Sequence, residues 1–298
     1  MSELERHLAP RRRRVEAALE AIFPADPSHP HRLTEAIRYG LLGGGKRLRP
    51  MLAVSACEAV GGTLDEALPV ACAVELIHAY SLVHDDLPGM DDDALRRGQP
   101  TVHVAFGEGV AILAGDALLT EAFAELARAA TRSARPKRLL QAAAEIAEAA
   151  GSRGMVGGQA ADLAAEGREA DLALVEFIHV RKTGALLRAA VRGGALVGGA
   201  SAAQLQRLTR YGECLGLAFQ IADDVLDAEA GTDRTGKAPG RDQERHKATF
   251  PAVLGLPAAK RRAAELREEA LEALRGFDAA AEPLRGLVRF VVDRAVGA

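Results

Sequence analysis

The sequence predicts an all-α fold, a single domain of packed helices spanning residues 1–298. Three observations carry that expectation. The chain is rich in Ala, Leu, Glu and Arg, the strong helix formers, whereas aromatic residues make up 4% and Trp is absent. Apolar residues recur at helical spacing between clusters of Gly and Pro. No stretch shows the strict alternation of a strand, and no segment repeats at a fixed period.

The elements follow in order. Pro10 suits the first turn of a helix running to about Phe23. Pro24 to Pro30 is a polar, proline-rich connection. A second helix, about Leu33 to Leu42, stops at Gly43-Gly44-Gly45, and Pro50 opens a third that ends at Gly61-Gly62. Another runs from about Glu66 to Asp86, where Leu87-Pro88-Gly89 ends or bends it. Helical patterning returns from Glu108 to Ala130, with Gly115 a close-packing point. It recurs at Lys137 to Ala149, Leu172 to Leu196 and Ala203 to Ala228, punctuated by glycines between Gly151 and Gly158 and at Gly198-Gly199. Glu229 to Lys247 reads as a polar loop of mixed charge, and three shorter helices close the chain.

Composition bounds the function. Hydrophobic residues at 48% and charged residues at 27% are ordinary for a globular protein. A net charge of −3 gives no case for nucleic-acid binding. Cys57, Cys72 and Cys214 fit neither a zinc pattern nor a disulfide framework, so they read as buried reduced thiols of a cytoplasmic protein. Met1 to Arg14 is charged and has no apolar signal core, and its Arg11 to Arg14 run reads as a solvated helix start. No run of eighteen apolar residues occurs, so no membrane span is expected.

The chemistry starts at His84-Asp85-Asp86-Leu87-Pro88-Gly89-Met90-Asp91-Asp92-Asp93-Ala94-Leu95-Arg96-Arg97-Gly98. Five aspartates and two arginines lie between residues 85 and 97, directly after the mostly apolar run Val74 to Val83. Such like charge needs a neutraliser, and carboxylate oxygens suit Mg²⁺, which prefers one or two carboxylates plus waters and substrate phosphates. Arg96 and Arg97 suit those phosphates. Asp85 and Asp91 are six residues apart, about 240° around an α-helix. They can share an ion only if Asp91 returns on a loop turned at Pro88-Gly89. His84 reads as a hydrogen-bonding helix residue rather than a ligand of a hard cation.

A second acidic motif stands in Gln220-Ile221-Ala222-Asp223-Asp224-Val225-Leu226-Asp227. Asp223 and Asp227 share one helix face at i and i+4, a repulsive spacing that a bridging metal relieves. Two such motifs, each at the end of a largely apolar helix, can face each other and hold several Mg²⁺ ions around one diphosphate. Gly43-Gly44-Gly45-Lys46-Arg47-Leu48-Arg49-Pro50 has the features of an anion loop, with glycines for close backbone approach and Lys46 and Arg49 for charge. It lacks the Gly-Lys-Ser/Thr of a P-loop. Lys182-Thr183-Gly184 and Gln220 lie within helices, and Lys237 and Lys247 flank the polar loop.

Taken together, these segments resemble the trans-isoprenyl diphosphate synthases, from about residue 33 to 255 and more loosely beyond. Gly115-Asp116, Gly157-Gly158-Gln159 and Gly236-Lys237 complete the match. The resemblance implies an isoprenoid-synthase bundle around a deep apolar pocket. It implies a prenyltransferase that ionises an allylic diphosphate and adds isopentenyl diphosphate to the cation. Asp85, Asp86 and Asp91 would hold Mg²⁺ on one side, and Asp223, Asp224 and Asp227 on the other, three ions per site with diphosphate bound. Arg96, Lys182 and Lys237 would meet the allylic diphosphate. Lys46, Arg49, His78 and Arg97 would bind isopentenyl diphosphate. Thr183 and Gln220 would line the cation's path, and Lys247 would close the charged loop. The released pyrophosphate would take the final proton. The resemblance also implies a homodimer.

Product length depends on how far the apolar tail can run below Asp85. Tyr80 and Ser81 lie one turn below it, roughly 6–7.5 Å along the axis. In the family an aromatic residue there shortens the pocket, so Tyr80 points to farnesyl diphosphate; geranylgeranyl or geranyl diphosphate synthase is the alternative. Three rivals are weaker. A His-Asp phosphohydrolase leaves the second acidic motif unexplained. A terpene cyclase needs an aromatic cavity that zero Trp and three Tyr do not supply. An inactive partner subunit of a hetero-oligomeric synthase is disfavoured by two intact motifs.

Overall fold

Helices α3 (Leu48–Ala59) and α4 (Leu64–Asp85) are apolar around most of their circumference, and such helices must be enclosed. The computed structural model, which describes residues 3–24, 30–167, 170–229 and 249–296, places them at the centre. Pro50 to Cys57 and Val70 to Ile77 are buried without interruption. Around them stand α1 (Glu3–Ile22), α2 (His31–Leu42), α6 (Glu108–Arg132), α7 (Pro136–Ala150), α10 (Ala185–Gly198) and α11 (Ala202–Glu229). Alpha-helix α4 packs chiefly on α6 and α3, α10 on α3, α7 and α11, and α11 on the helix Leu256–Ala273. The C-terminal helix Glu282–Val296 closes against that last pair. The fold is all-α, as the composition predicts.

Alpha-helix α4 is set in place at its first turn. The Thr63 hydroxyl accepts from Glu66 N–H at 3.3 Å and the Glu66 carboxylate accepts from Thr63 N–H at 3.0 Å, a reciprocal capping box. By length and composition this helix would also suit a bilayer, yet 67% of its most apolar window is buried inside the protein. The charged motif is carried at its far end.

Several boundaries differ from expectation. Pro10 lies inside α1, which begins at Glu3, and Pro69 lies inside α4. Chain after the first acidic motif forms a two-stranded hairpin, Leu95–Arg96 (β1) with Gln99–Pro100 (β2), too short to show alternation, followed by α5 (Val102–Phe106). The glycines after residue 150, read as punctuation, start a helix, α8 (Met155–Ala165). The single helix expected over Leu172 to Leu196 is α9 (Leu172–His179), a π-turn (Val180–Gly184) and then α10. The polar segment holding Lys237 and Lys247 lies outside the described residues.

Candidate active site

The first acidic motif turns as its spacing requires. Alpha-helix α4 ends at Asp85, and Leu87 N–H bonds back to the His84 carbonyl at 3.1 Å. Asp91 N–H then donates to the Asp85 carbonyl at 2.8 Å, and Asp93 N–H to the Asp86 carbonyl at 3.2 Å. The loop thus folds Asp91 back over the helix end that holds Asp85. Burial raises the Asp85 carboxyl to about 6, with Asp91 and Asp86 adding to the rise while Lys182 and Arg96 oppose it. A half-buried carboxylate crowded by other carboxylates is one that a hard cation relieves. Among the described residues no three His, Cys, Asp or Glu side chains form a ready-made metal cage.

Asp86, expected as a ligand, is held in a protein ion pair. It is 3% exposed, and Arg96 grips it from Nε at 2.9 Å to each oxygen and from Nη2 at 2.6 Å. The pair fixes the guanidinium that the hairpin carries toward the motif. Arg96 Nη2 also lies 3.8 Å from Asp93 Oδ2. His84 is a packing and hydrogen-bonding residue, as expected: Nε2 sits 3.0 Å from the Ile112 carbonyl. Its ring fills the space over Gly115, where a Cβ would fall 2.1 Å from that nitrogen. Tyr80, 6% exposed, meets the His84 ring edge-on at 5.7 Å, and Ser81 Oγ donates to the His78 carbonyl at 2.9 Å.

A basic cluster forms on the next side. Arg97, held at a left-handed φ of 55°, donates to the Gly44 carbonyl and so joins the hairpin to the glycine loop. Arg47, unassigned by sequence reasoning, adopts the left-handed conformation that starts α3 and pairs with buried Glu75 at 2.7 Å. Burial, with Arg49, Arg97, Arg96 and Arg47 around it, pushes His78 well below the usual histidine range. Burial also lowers Arg49, whose Nε is buried without a partner among the described residues. Such concentrated, incompletely satisfied positive charge is suited to an anion.

The π-turn places Lys182 and Thr183. Alpha-helix α8 presses against it so closely that a Cβ on Gly158 would lie 2.2 Å from Lys182 N. Lys182 Nζ bonds Asp162 Oδ2 at 2.6 Å, and Thr183 Oγ1 donates to Gln220 Oε1 at 3.0 Å. Both amide ends of neighbouring Gln159 are buried without partners among the described residues. On α11, Asp223 accepts from Arg294 of the C-terminal helix, and burial raises its carboxyl against the pull of Arg294, Lys46 and Arg49. Lys46 lies 5.5 Å from the Phe290 ring centre. Asp227, one turn on, is exposed. Asp224 is 8% exposed and, like Asp86, turned into protein contacts: Gln220 Nε2 at 3.2 Å and Phe250 N–H at 3.0 Å.

The structure therefore brings Asp85, Asp91, Arg96 and Lys182 together, and joins Lys46, Arg49 and Asp223 from distant parts of the chain. Asp162, Glu75, Arg47, His179 and Arg294 were missed. Asp162 lies three residues after Gln159, a helical spacing visible only once α8 is recognised.

Such a convergence of acidic and basic side chains around an apolar bundle has close counterparts. The polyprenyl synthetase family profile matches residues 30–282. The chain is 47% identical over 289 residues to a dimethylallyltranstransferase of Fischerella ambigua, covering 97% of this chain and 83% of that protein. It is 48% identical over 277 residues to the chloroplastic geranylgeranyl pyrophosphate synthase of Capsicum annuum, covering 92% and 74%. An apo crystal structure of an FPP/GFPP synthase from Zymomonas mobilis superposes with a TM-score of 0.87 at 39% identity, covering 97% and 98%. With motif order, fold and relatives in agreement, the chain belongs to the polyprenyl synthetase family, a prenyltransferase that works on isoprenyl diphosphates.

Proposed function

We propose that this enzyme condenses isopentenyl diphosphate with dimethylallyl and geranyl diphosphates, head to tail, and stops at farnesyl diphosphate. The observation that carries the chain-length reading is Tyr80, a buried aromatic side chain one turn below Asp85. Its hydroxyl is raised by burial and by the Asp85 charge, which fits a ring close to the acidic motif. Geranylgeranyl synthesis, which the Capsicum relative's name describes, is the second reading.

The residues divide the work. Lys182 and Arg96 meet the allylic diphosphate; Lys237, expected to meet it too, lies outside the described residues. Asp85 and Asp91 on one side, and Asp223 with Asp227 on the other, supply oxygen ligands for Mg²⁺, which when bound neutralises charge on the diphosphate. Asp86 instead holds Arg96, and Asp224 accepts from Gln220 and Phe250. As the allylic carbon–oxygen bond breaks, its electron pair leaves with pyrophosphate, and fixed cationic donors stabilise the growing negative charge. Lys46, Arg49, Arg97 and neutral His78 hold isopentenyl diphosphate with its double bond toward the allylic carbon. The alkene electrons form the new carbon–carbon bond, and the released pyrophosphate takes the proton that restores a double bond. Thr183 and Gln220 line the cation's path. Lys247 belongs to the segment that would keep water out.

A homodimer is part of the proposal. Val104, Ile112 and Leu113 expose apolar side chains along α5 and α6, a surface suited to a second copy. A cytoplasmic location rests on three buried, unpaired cysteines. The test is incubation with isopentenyl diphosphate and five-, ten- or fifteen-carbon allylic diphosphates, with and without Mg²⁺. Farnesyl diphosphate from the two shorter starters is expected. A twenty-carbon main product would replace the chain-length reading, and no condensation with any starter would overturn the function.

A further inference from the structure

The polar chain through Thr183, Gln220 and Asp224 has a direction. An ionised carboxylate accepts hydrogen bonds and donates none. Asp224 Oδ1 therefore takes the NH₂ end of the Gln220 amide, 3.2 Å away, and turns the carbonyl end toward Thr183. That carbonyl, at 3.0 Å, consumes the Thr183 hydroxyl proton and leaves the hydroxyl lone pairs for the pocket. A reversed amide would donate to Thr183 and push the hydroxyl proton outward, toward a developing carbocation.

The other oxygen of Asp224 is also committed. Oδ2 accepts Phe250 N–H at 3.0 Å and lies 3.8 Å from His179 Nε2, while the Phe250 ring covers the His179 ring at 5.4 Å. Alpha-helix α11, the last residue of α9 and the first of the helix Phe250–Leu254 thus meet on one carboxylate that is 8% exposed.

We propose that Asp224 is a positioning residue: it fixes the orientation of the Gln220 amide, and through it the Thr183 hydroxyl, so that oxygen lone pairs face the ionising substrate. This rests on the reading that Thr183 and Gln220 line the cation's path. It replaces the expectation that Asp224 is a metal ligand.

The isosteric Asp224→Asn variant tests it. Phe250 N–H requires an acceptor, so the asparagine oxygen goes there and its NH₂ faces Gln220, which must reverse. The expected result is a kcat lower by about tenfold to a hundredfold. Both KM values, and Mg²⁺-dependent binding of inorganic pyrophosphate by calorimetry, stay within about twofold. Adding Gln220→Glu to Asp224→Asn restores an acceptor at both ends and keeps the total charge, so kcat recovers at least in part. Unchanged kcat in Asp224→Asn, loss of pyrophosphate binding, or a double variant no better than the single one would each overturn the role. Turnover by the unsubstituted enzyme reports separately: without any condensation the function itself fails, whereas with it only the positioning role is at stake.

Discussion

At the scale of single residues, the two acidic motifs contain carboxylates of two kinds. Asp85 and Asp223 are raised by burial and face other charged groups of the site. Asp86 and Asp224 are tied into protein hydrogen bonds. Asp223→Ala should therefore cut turnover by about a hundredfold or more while leaving the melting temperature nearly unchanged. Asp86→Ala should instead destabilise the fold by about 3 kcal/mol, because it leaves Arg96 without its bidentate partner. Paired thermal unfolding and steady-state assays separate the two; equal behaviour of both variants would refute the division. Tyr80→Ala should lengthen the products, and an unchanged chromatographic profile would sink that reading. The sequence shows which residues are acidic but not which way each points. The six-residue spacing of Asp85 and Asp91 dictated a returning loop, because helix geometry is exact. The pairing of Asp86 with Arg96 depends on a hairpin of two-residue strands, below any pattern a sequence displays.

At the scale of elements, the site is held by close contact between α8 and the π-turn. Helix propensity and apolar spacing made α2, α6, α7 and α11 legible, and the long, almost wholly apolar run of α4 marked that helix. Alpha-helix α8 was hidden because Gly157 and Gly158 read as breakers, whereas the missing side chain of Gly158 lets the helix approach Lys182 and that of Gly157 makes room for the Ser152 carbonyl. The π-turn was hidden because one extra residue barely alters a 3.6-residue period. Gly158→Ala should cost about 1–3 kcal/mol and move Lys182, since no room exists for the added methyl. The expected kinetic result is a raised KM for the allylic substrate with the KM for isopentenyl diphosphate little changed. A crystal structure showing Lys182 unmoved would contradict it.

At the scale of the whole molecule, burial of titratable groups makes stability depend on pH. Burial lowers His179 from 6.5 to about 4, with Lys182 adding to the effect and Asp162 opposing it. The unfolded chain takes up a proton near the ordinary value, while the folded chain resists until much lower pH. Folded stability is thus intact above that ordinary value and falls as pH drops toward about 4, by up to about 3 kcal/mol from this residue. His78 acts in the same direction. Denaturant titrations across that range should show the loss, and His179→Gln should flatten it. The same assembly brings four remote segments to one charged site, which unites the glycine loop, the hairpin, the π-turn and the C-terminal helix. Arg294 could not be anticipated either, because a lone arginine outside any motif carries no signal. The most direct measurement is the stoichiometry of pyrophosphate released to isopentenyl diphosphate consumed, with geranyl diphosphate and Mg²⁺ present. One pyrophosphate for each isopentenyl diphosphate, and none when either substrate is omitted, is the expected result. Pyrophosphate release that proceeds without isopentenyl diphosphate, or no release at all, would contradict coupled ionisation and condensation at this site.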